Sequence, residues 1–197
     1  PSGSSRFTPG KTQDEAAREQ RRMAGAEALK AIRARTGTAQ SAAPAKKVDG
    51  KLYKDVKTNC KKVVALACST GGPKSLQQVI PMLPRNLDAG VVLVQHMPAG
   101  FTASLAQRLD EMSDVQVKEA EDGDIIRRGH VYIAPGGKHL RIVKNGSGHK
   151  IQLSDEPAIE GLRPCANIMY ESLTQSNYDE ITCVVLTGMG ADGTNGI

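Results

Sequence analysis

The sequence predicts an α/β fold: a doubly wound, mostly parallel sheet with an antiparallel hairpin at one edge. Three observations carry this. Uninterrupted apolar runs such as KKVVALA (61–67), GVVLVQH (90–96) and ITCVVLTG (181–188) read as strands buried on both faces, the habit of parallel sheets. Stretches of helical texture stand between the strands. Aromatic residues are scarce, two Phe and four Tyr with no Trp, so the core must be aliphatic.

The first 60 residues stand apart. Residues 1–12 are rich in Ser, Gly and Pro and are expected to lack fixed structure. QDEAAREQRRMAGAEALKAIRAR (13–35) places acids early and bases late, a polarity that favours a helix. Its apolar stripe of Met23, Ala26, Leu29, Ile32 and Ala34 is thin, so this basic helix needs a partner surface. TGTAQSAAPAKK (36–47) reads as a second linker.

From Lys61 the texture changes. KKVVALA is the first strand, and PKSLQQVIPML (73–83) the first helix of the folded part, with Pro73 in its opening turn. GVVLVQH is the next strand and PAGFTASLAQRLDEM (98–112) the next helix. VQVKEA (115–120) reads as a short strand and GHVYIAP (129–135) as a clear one. HLRIV (139–143) and HKIQL (149–153) flank KNGSG, a hairpin signal around Asn145-Gly146. ANIMYESLTQS (166–176) reads as a helix, and ITCVVLTG is the last buried strand. The expected division is a linker-like segment over 1–60 and one folded domain over 61–197.

Charge follows the same division. Residues 1–60 hold 13 Lys/Arg and 6 Asp/Glu, a balance of +7; residues 61–197 hold 13 and 15, a balance of −2. The basic character therefore belongs to the front segment. No nucleic-acid partner is expected, since basic residues are not interleaved with aromatics. Cysteines at 60, 68, 165 and 183 form no Cys-x-x-Cys pair, as suits free thiols in a reducing compartment. No apolar run approaches the roughly 20 residues that span a bilayer, and PSGSSRFTPGK lacks a signal core. The expected location is the cytoplasm, without membrane embedding. The absence of an initiator Met suggests a chain that begins inside a longer protein.

Three apolar strands each end on one reactive residue. VVALAC leads to Ser69, GVVLVQ to His96 and CVVLTGMGA to Asp192. In an open α/β sheet, sites lie beyond the carboxyl ends of the strands, so the three could meet although far apart in sequence. Together they supply a hydroxyl to attack, an imidazole to take its proton and a carboxylate to fix the imidazole's tautomer. Singly, each has a plain alternative: serine is common in turns, histidine often packs at strand ends, and Asp-Gly is a frequent turn pair. A phosphate cradle fares worse, because STGGPKS departs from G-x-x-x-x-G-K-[ST] and G-x-G-x-x-G is missing. ACSTG comes within one residue of the G-x-S-x-G elbow, but the order Ser, His, Asp differs from that of α/β-hydrolases.

Five stretches give these residues a context. CSTGGP (68–73), VQHMPAGFT (94–102), GHVYIAPGGKHL (129–140), LRPCANIMYES (162–172) and VVLTGMGADG (184–193) together resemble the chemotaxis receptor methylesterases, the CheB family, over about 61–197. The resemblance implies Ser69 as nucleophile, His96 as general base and Asp192 as the orienting acid. It implies an oxyanion-hole donor at the Met189 backbone N–H, assistance from Thr70, and a position near the pocket for His139; Arg163, just ahead of a helix, is expected to contact the substrate backbone. The implied reaction is hydrolysis of glutamate γ-methyl esters on chemoreceptors, with deamidation of receptor glutamines by the same route and no metal or organic cofactor. Residues 61–197 would then be the methylesterase catalytic domain.

Two departures from the family pattern stand beside this. A phosphorylatable receiver domain usually precedes the esterase, whereas only a linker-like stretch and a helix precede Lys61. If that domain is missing, activity is expected to need no phosphodonor. The family's domain also continues beyond the Asp loop, so a C-terminal part is expected to be missing here. Two other readings remain open from sequence: a serine esterase or amidase of similar fold acting on another substrate, and a non-catalytic interaction module docking through the basic helix. His130 and His149, at the starts of strands, are expected at the surface, and Cys68 is expected to be a packed thiol.

Overall fold

A computed structural model describes residues 60–197 together with Glu27 and Lys30, both exposed and helical. The linkers and the rest of the helix expected at 13–35 lie outside the described residues. In chain order the folded part runs β1 (Lys62–Cys68), α1 (Gly72–Val79), β2 (Gly90–Gln95), α2 (Phe101–Met112), β3 (Gln116–Glu119) and β4 (His130–Ile133). It continues with β5 (His139–Asn145), β6 (Gly148–Ser154), α3 (Ala166–Ser172) and β7 (Glu180–Val185).

Five strands form a parallel sheet in the order β3-β4-β2-β1-β7. β1 lies inside it with β2 on one side and β7 on the other, so the loops leaving these three strands share one edge. Successive residues of β1 face opposite layers, as a pleated strand requires. Val64 and Leu66 join Leu76, Val79, Leu105 and Leu109 of α1 and α2 in one apolar cluster. Val63, Ala65 and Ala67 join Leu140, Ile142, Ile151, Met169 and Tyr170 in the other. Both faces are covered, which explains why β1 and β2 are buried along almost their whole length. Each fully buried Leu or Ile stabilises the fold by about 1.5–3 kcal/mol.

The hairpin forms as its sequence predicts, with Asn145 opposite Gly148. Its position differs from the expected edge of the main sheet. β5 and β6 make a separate two-stranded sheet, because their apolar residues Leu140, Ile142 and Ile151 are needed to cover a face of the parallel sheet beside α3. The Ser172 hydroxyl accepts the Ile142 N–H at 2.9 Å and ties the hairpin to α3. The first helix is also shorter than its pattern. It gives way to a 3-10 turn over Ile80–Met82, where Pro81 lacks the N–H that an α-helix would use. Among the described residues no helix is long and apolar enough to cross a membrane.

Candidate active site

β1 and β2 pair in register through Cys68 and Gln95, so the next residues out, Ser69 and His96, stand side by side on adjacent strand ends. The His96 N–H still donates to Cys68 O at 3.2 Å, extending the ladder by one bond. On the other flank, Ser69 N–H donates to Thr187 O at 2.7 Å, just beyond the end of β7. The chain then turns back over Ser69: a Cβ at Gly188 would lie 2.9 Å from Ser69 Cβ. Only glycine permits that approach.

The same loop delivers Asp192. Its Oδ2 accepts His96 Nε2–H at 2.7 Å and Ala166 N–H at 2.7 Å. Its Oδ1 accepts Asn167 N–H at 3.0 Å and the Cys165 thiol at 3.1 Å. The carboxylate is 5% exposed. Burial alone raises its pKa, and this largest single effect is outweighed by the bonds from His96, Ala166, Asn167 and Cys165, which hold Asp192 well below the usual carboxylate range. A charged Asp192 assigns the proton of His96 to Nε2 and leaves the Nδ1 lone pair free to accept another. No direct Ser69–His96 hydrogen bond is present among the described residues. A base whose contact to its nucleophile tightens when substrate binds behaves this way.

The remaining residues singled out in the sequence are spread around this centre. Met189 is 78% exposed, one peptide beyond the Gly188 contact. Thr70 is exposed, and its carbonyl accepts the Thr187 hydroxyl at 3.2 Å. His139 and Arg163 make no hydrogen bond to Ser69, His96 or Asp192 among the described residues. His139 is wholly buried, with Nε2 on Pro157 O at 3.1 Å and Nδ1 accepting Cys165 N–H at 3.2 Å. Arg163 Nη1 donates to Asp155 O and Glu156 O, both at 3.0 Å, while its own carbonyl takes Gly137 N–H at 3.0 Å. Both bind loops to one another, His139 through its two ring nitrogens and Arg163 through Nη1. His149 is also buried, stacked on Tyr178 at 3.6 Å, rather than at the surface. Burial pushes the Cys68 thiol up to about 12, which keeps it protonated and poorly nucleophilic.

The comparisons with known proteins agree on one family. Its model, CheB methylesterase, matches residues 64–197. The chain belongs to the CheB methylesterase family. A protein-glutamate methylesterase/protein-glutamine glutaminase of Bacillus subtilis is 48% identical over 137 residues, 70% of this chain and 38% of that protein. One of the same name from Pyrococcus abyssi is 48% identical over 134 residues, 68% of this chain and 36% of that protein. The chain thus spans well under half the length of these relatives. Among solved structures, the Thermotoga maritima CheB methylesterase catalytic domain matches with a TM-score of 0.66 and 45% identity, covering 68% of this chain and 71% of that one.

Within this CheB-family site, sequence reasoning passed over Gln95. Its side-chain amide donates to both Ser69 O and His96 O at 3.1 Å, and its Oε1 accepts the Cys68 thiol at 3.1 Å. One buried carboxamide therefore joins the two strand ends that carry the hydroxyl and the imidazole. Gly72 makes room for it: a Cβ there would fall 1.8 Å from Gln95 Oε1. The signal was a lone polar residue ending an apolar run beside the candidate base. In the sequence Cys165 is one thiol of four, and nothing in its spacing announces its bond to Asp192.

Proposed function

We propose that this chain is the catalytic part of a serine hydrolase that converts glutamate γ-methyl esters of chemoreceptors to glutamate, and receptor glutamines to glutamate by the same route. The observation that carries the reading is the contact of His96 Nε2 with Asp192 Oδ2 at 2.7 Å, beside a serine set level with that histidine by the β1–β2 register. Family membership supplies the substrate class, which the relatives' names describe as protein-glutamate methyl ester and protein-glutamine.

In this reading His96 Nδ1 takes the proton of Ser69 as Oγ attacks the side-chain carbonyl carbon of the ester. The negative charge that develops on the carbonyl oxygen is met by backbone N–H donors, with Met189 N–H as the assigned one, in a loop already pressed against Ser69. The protonated imidazole, steadied by ionised Asp192, returns its proton to the departing methoxide, and methanol leaves. Water, deprotonated by His96, cleaves the acyl-enzyme and restores Ser69. A glutamine side chain follows the same course with ammonia as the leaving group. The proposed partners are the cytoplasmic helical regions of methyl-accepting receptors, which puts the protein in the cytoplasm, and a phosphorylatable receiver domain as regulator.

The test is methanol release from methylated receptor membranes, with Ser69→Ala alongside. Release that depends on Ser69 is expected. Full release by Ser69→Ala would refute the reading.

A further inference from the structure

We propose that Asn167 is a positioning residue for this hydrolysis, fastening the Asp192 loop to the start of α3 through its side-chain oxygen; the proposal rests on the function given above. Three backbone N–H groups converge on that one atom: Gly193 at 3.0 Å, Asn195 at 3.2 Å and Gly196 at 2.9 Å. Three donors fix the atom as the amide oxygen, since the NH2 end accepts nothing. The backbone N–H of the same residue donates to Asp192 Oδ1 at 3.0 Å. Asn167 thus grips the loop on both sides of its bend, once through the carboxylate and three times through the peptides that follow.

His96, Ala166 and the Cys165 thiol also hold the loop, all three through the Asp192 carboxylate. Between residues 190 and 196 the described backbone bonds include one within the loop, Thr194 N–H to Ala191 O at 3.0 Å. It passes so close to α3 that a Cβ at Gly196 would lie 2.9 Å from Asn167 Cα and 2.9 Å from Asn167 O. Asp192 must point one oxygen at His96 while the other faces Asn167 and Cys165. That orientation depends on where the loop is pinned. Asn167 touches neither the hydroxyl nor the imidazole, so it acts through Asp192 alone.

Only the acceptor oxygen is used, so the chemistry separates two substitutions. Asn167→Asp retains an oxygen in place, whereas Asn167→Leu retains bulk and loses the acceptor. Two measurements on the whole chain read the difference. One is kcat and KM for methanol release. The other is the downfield proton resonance of the His96–Asp192 hydrogen bond, which requires no turnover. Asn167→Leu is expected to lower kcat by about 10- to 100-fold at nearly unchanged KM, from loss of three modest bonds to a catalytic loop, and to lose the resonance. Asn167→Asp is expected to keep the resonance and remain within about threefold of the wild-type kcat. A Leu variant that keeps both signals overturns the proposal, as does an Asp variant that fails as badly as Leu. Should the Leu variant not fold, Asn167→Ala with a wild-type circular dichroism spectrum takes its place under the same criteria. Should the wild type show no Ser69-dependent release, the hydrolase reading falls, and the resonance comparison alone decides whether Asn167 holds Asp192.

Discussion

Asp192→Asn keeps the shape of the side chain and removes its charge, which makes it a severe test of how His96 is oriented. Four donors aim at this carboxylate: the N–H groups of His96, Ala166 and Asn167 and the thiol of Cys165. An amide offers a single acceptor oxygen. Placed at Oδ1 it keeps Asn167 and Cys165, and its NH2 then faces the donors of His96 and Ala166. Flipped, it leaves Asn167 N–H and the thiol facing NH2 instead. Either way two of four bonds are lost and one backbone N–H meets another donor. Bonds to a charged partner are worth about 1.5–3 kcal/mol each, so a loss of about 3–6 kcal/mol in stability is expected. In the first placement the imidazole relieves its own clash by presenting a bare Nε2 to the amide, which moves the proton to Nδ1. There it blocks transfer from Ser69, and a tautomer inversion of this kind slows turnover by as much as ~10⁴-fold. Methanol release and a thermal melt on the same preparation measure the two effects. A folded variant that retains more than about a tenth of wild-type turnover would refute the orientation argument.

Two further outcomes follow from the geometry. In Gly72→Ala the new methyl displaces the Gln95 amide from Ser69 O and His96 O, so kcat is expected to fall by about tenfold and the melting temperature to drop. The Gly72→Ala/Gln95→Ala pair should be no less stable than Gln95→Ala alone, and additive losses in this cycle would show that the two sites do not meet. The depressed pKa of Asp192 contributes stability that is fully present above the unfolded carboxylate's pKa of about 3.9 and is lost as pH falls through the folded value. The gap in melting temperature between wild type and Asp192→Asn should therefore narrow as pH is lowered from about 5 toward about 3, and a constant gap would contradict the assignment.

What the sequence made legible is set by one rule. Where a residue follows an apolar strand, the sheet fixes its height, and this is why the neighbourhood of Ser69, His96 and Asp192 could be anticipated. Register adds what the pattern could not, namely that Cys68 pairs with Gln95 and sets the next two residues level. The hairpin was visible in Asn145-Gly146, but its place depended on which face of the sheet lacked cover. The side-chain bonds by which His139 and Arg163 tie loops together have no counterpart in the sequence pattern, because they join residues that no periodicity relates. Gln95 and Asn167 were missed because carboxamides that bind backbone carry no spacing signal.

Long-range assembly of the centre has a kinetic consequence. The hydrogen bond between His96 and Asp192 closes 96 residues of chain, and the Gln95–Cys68 contact closes another 27. Parallel pairing of this kind is slow to form, since distant segments must be brought together before any contact rewards them. A nascent or partly unfolded chain thus holds every reactive group without the power to use it. Hydrolysis should appear late in refolding, in step with the last tertiary signals rather than with early helix formation.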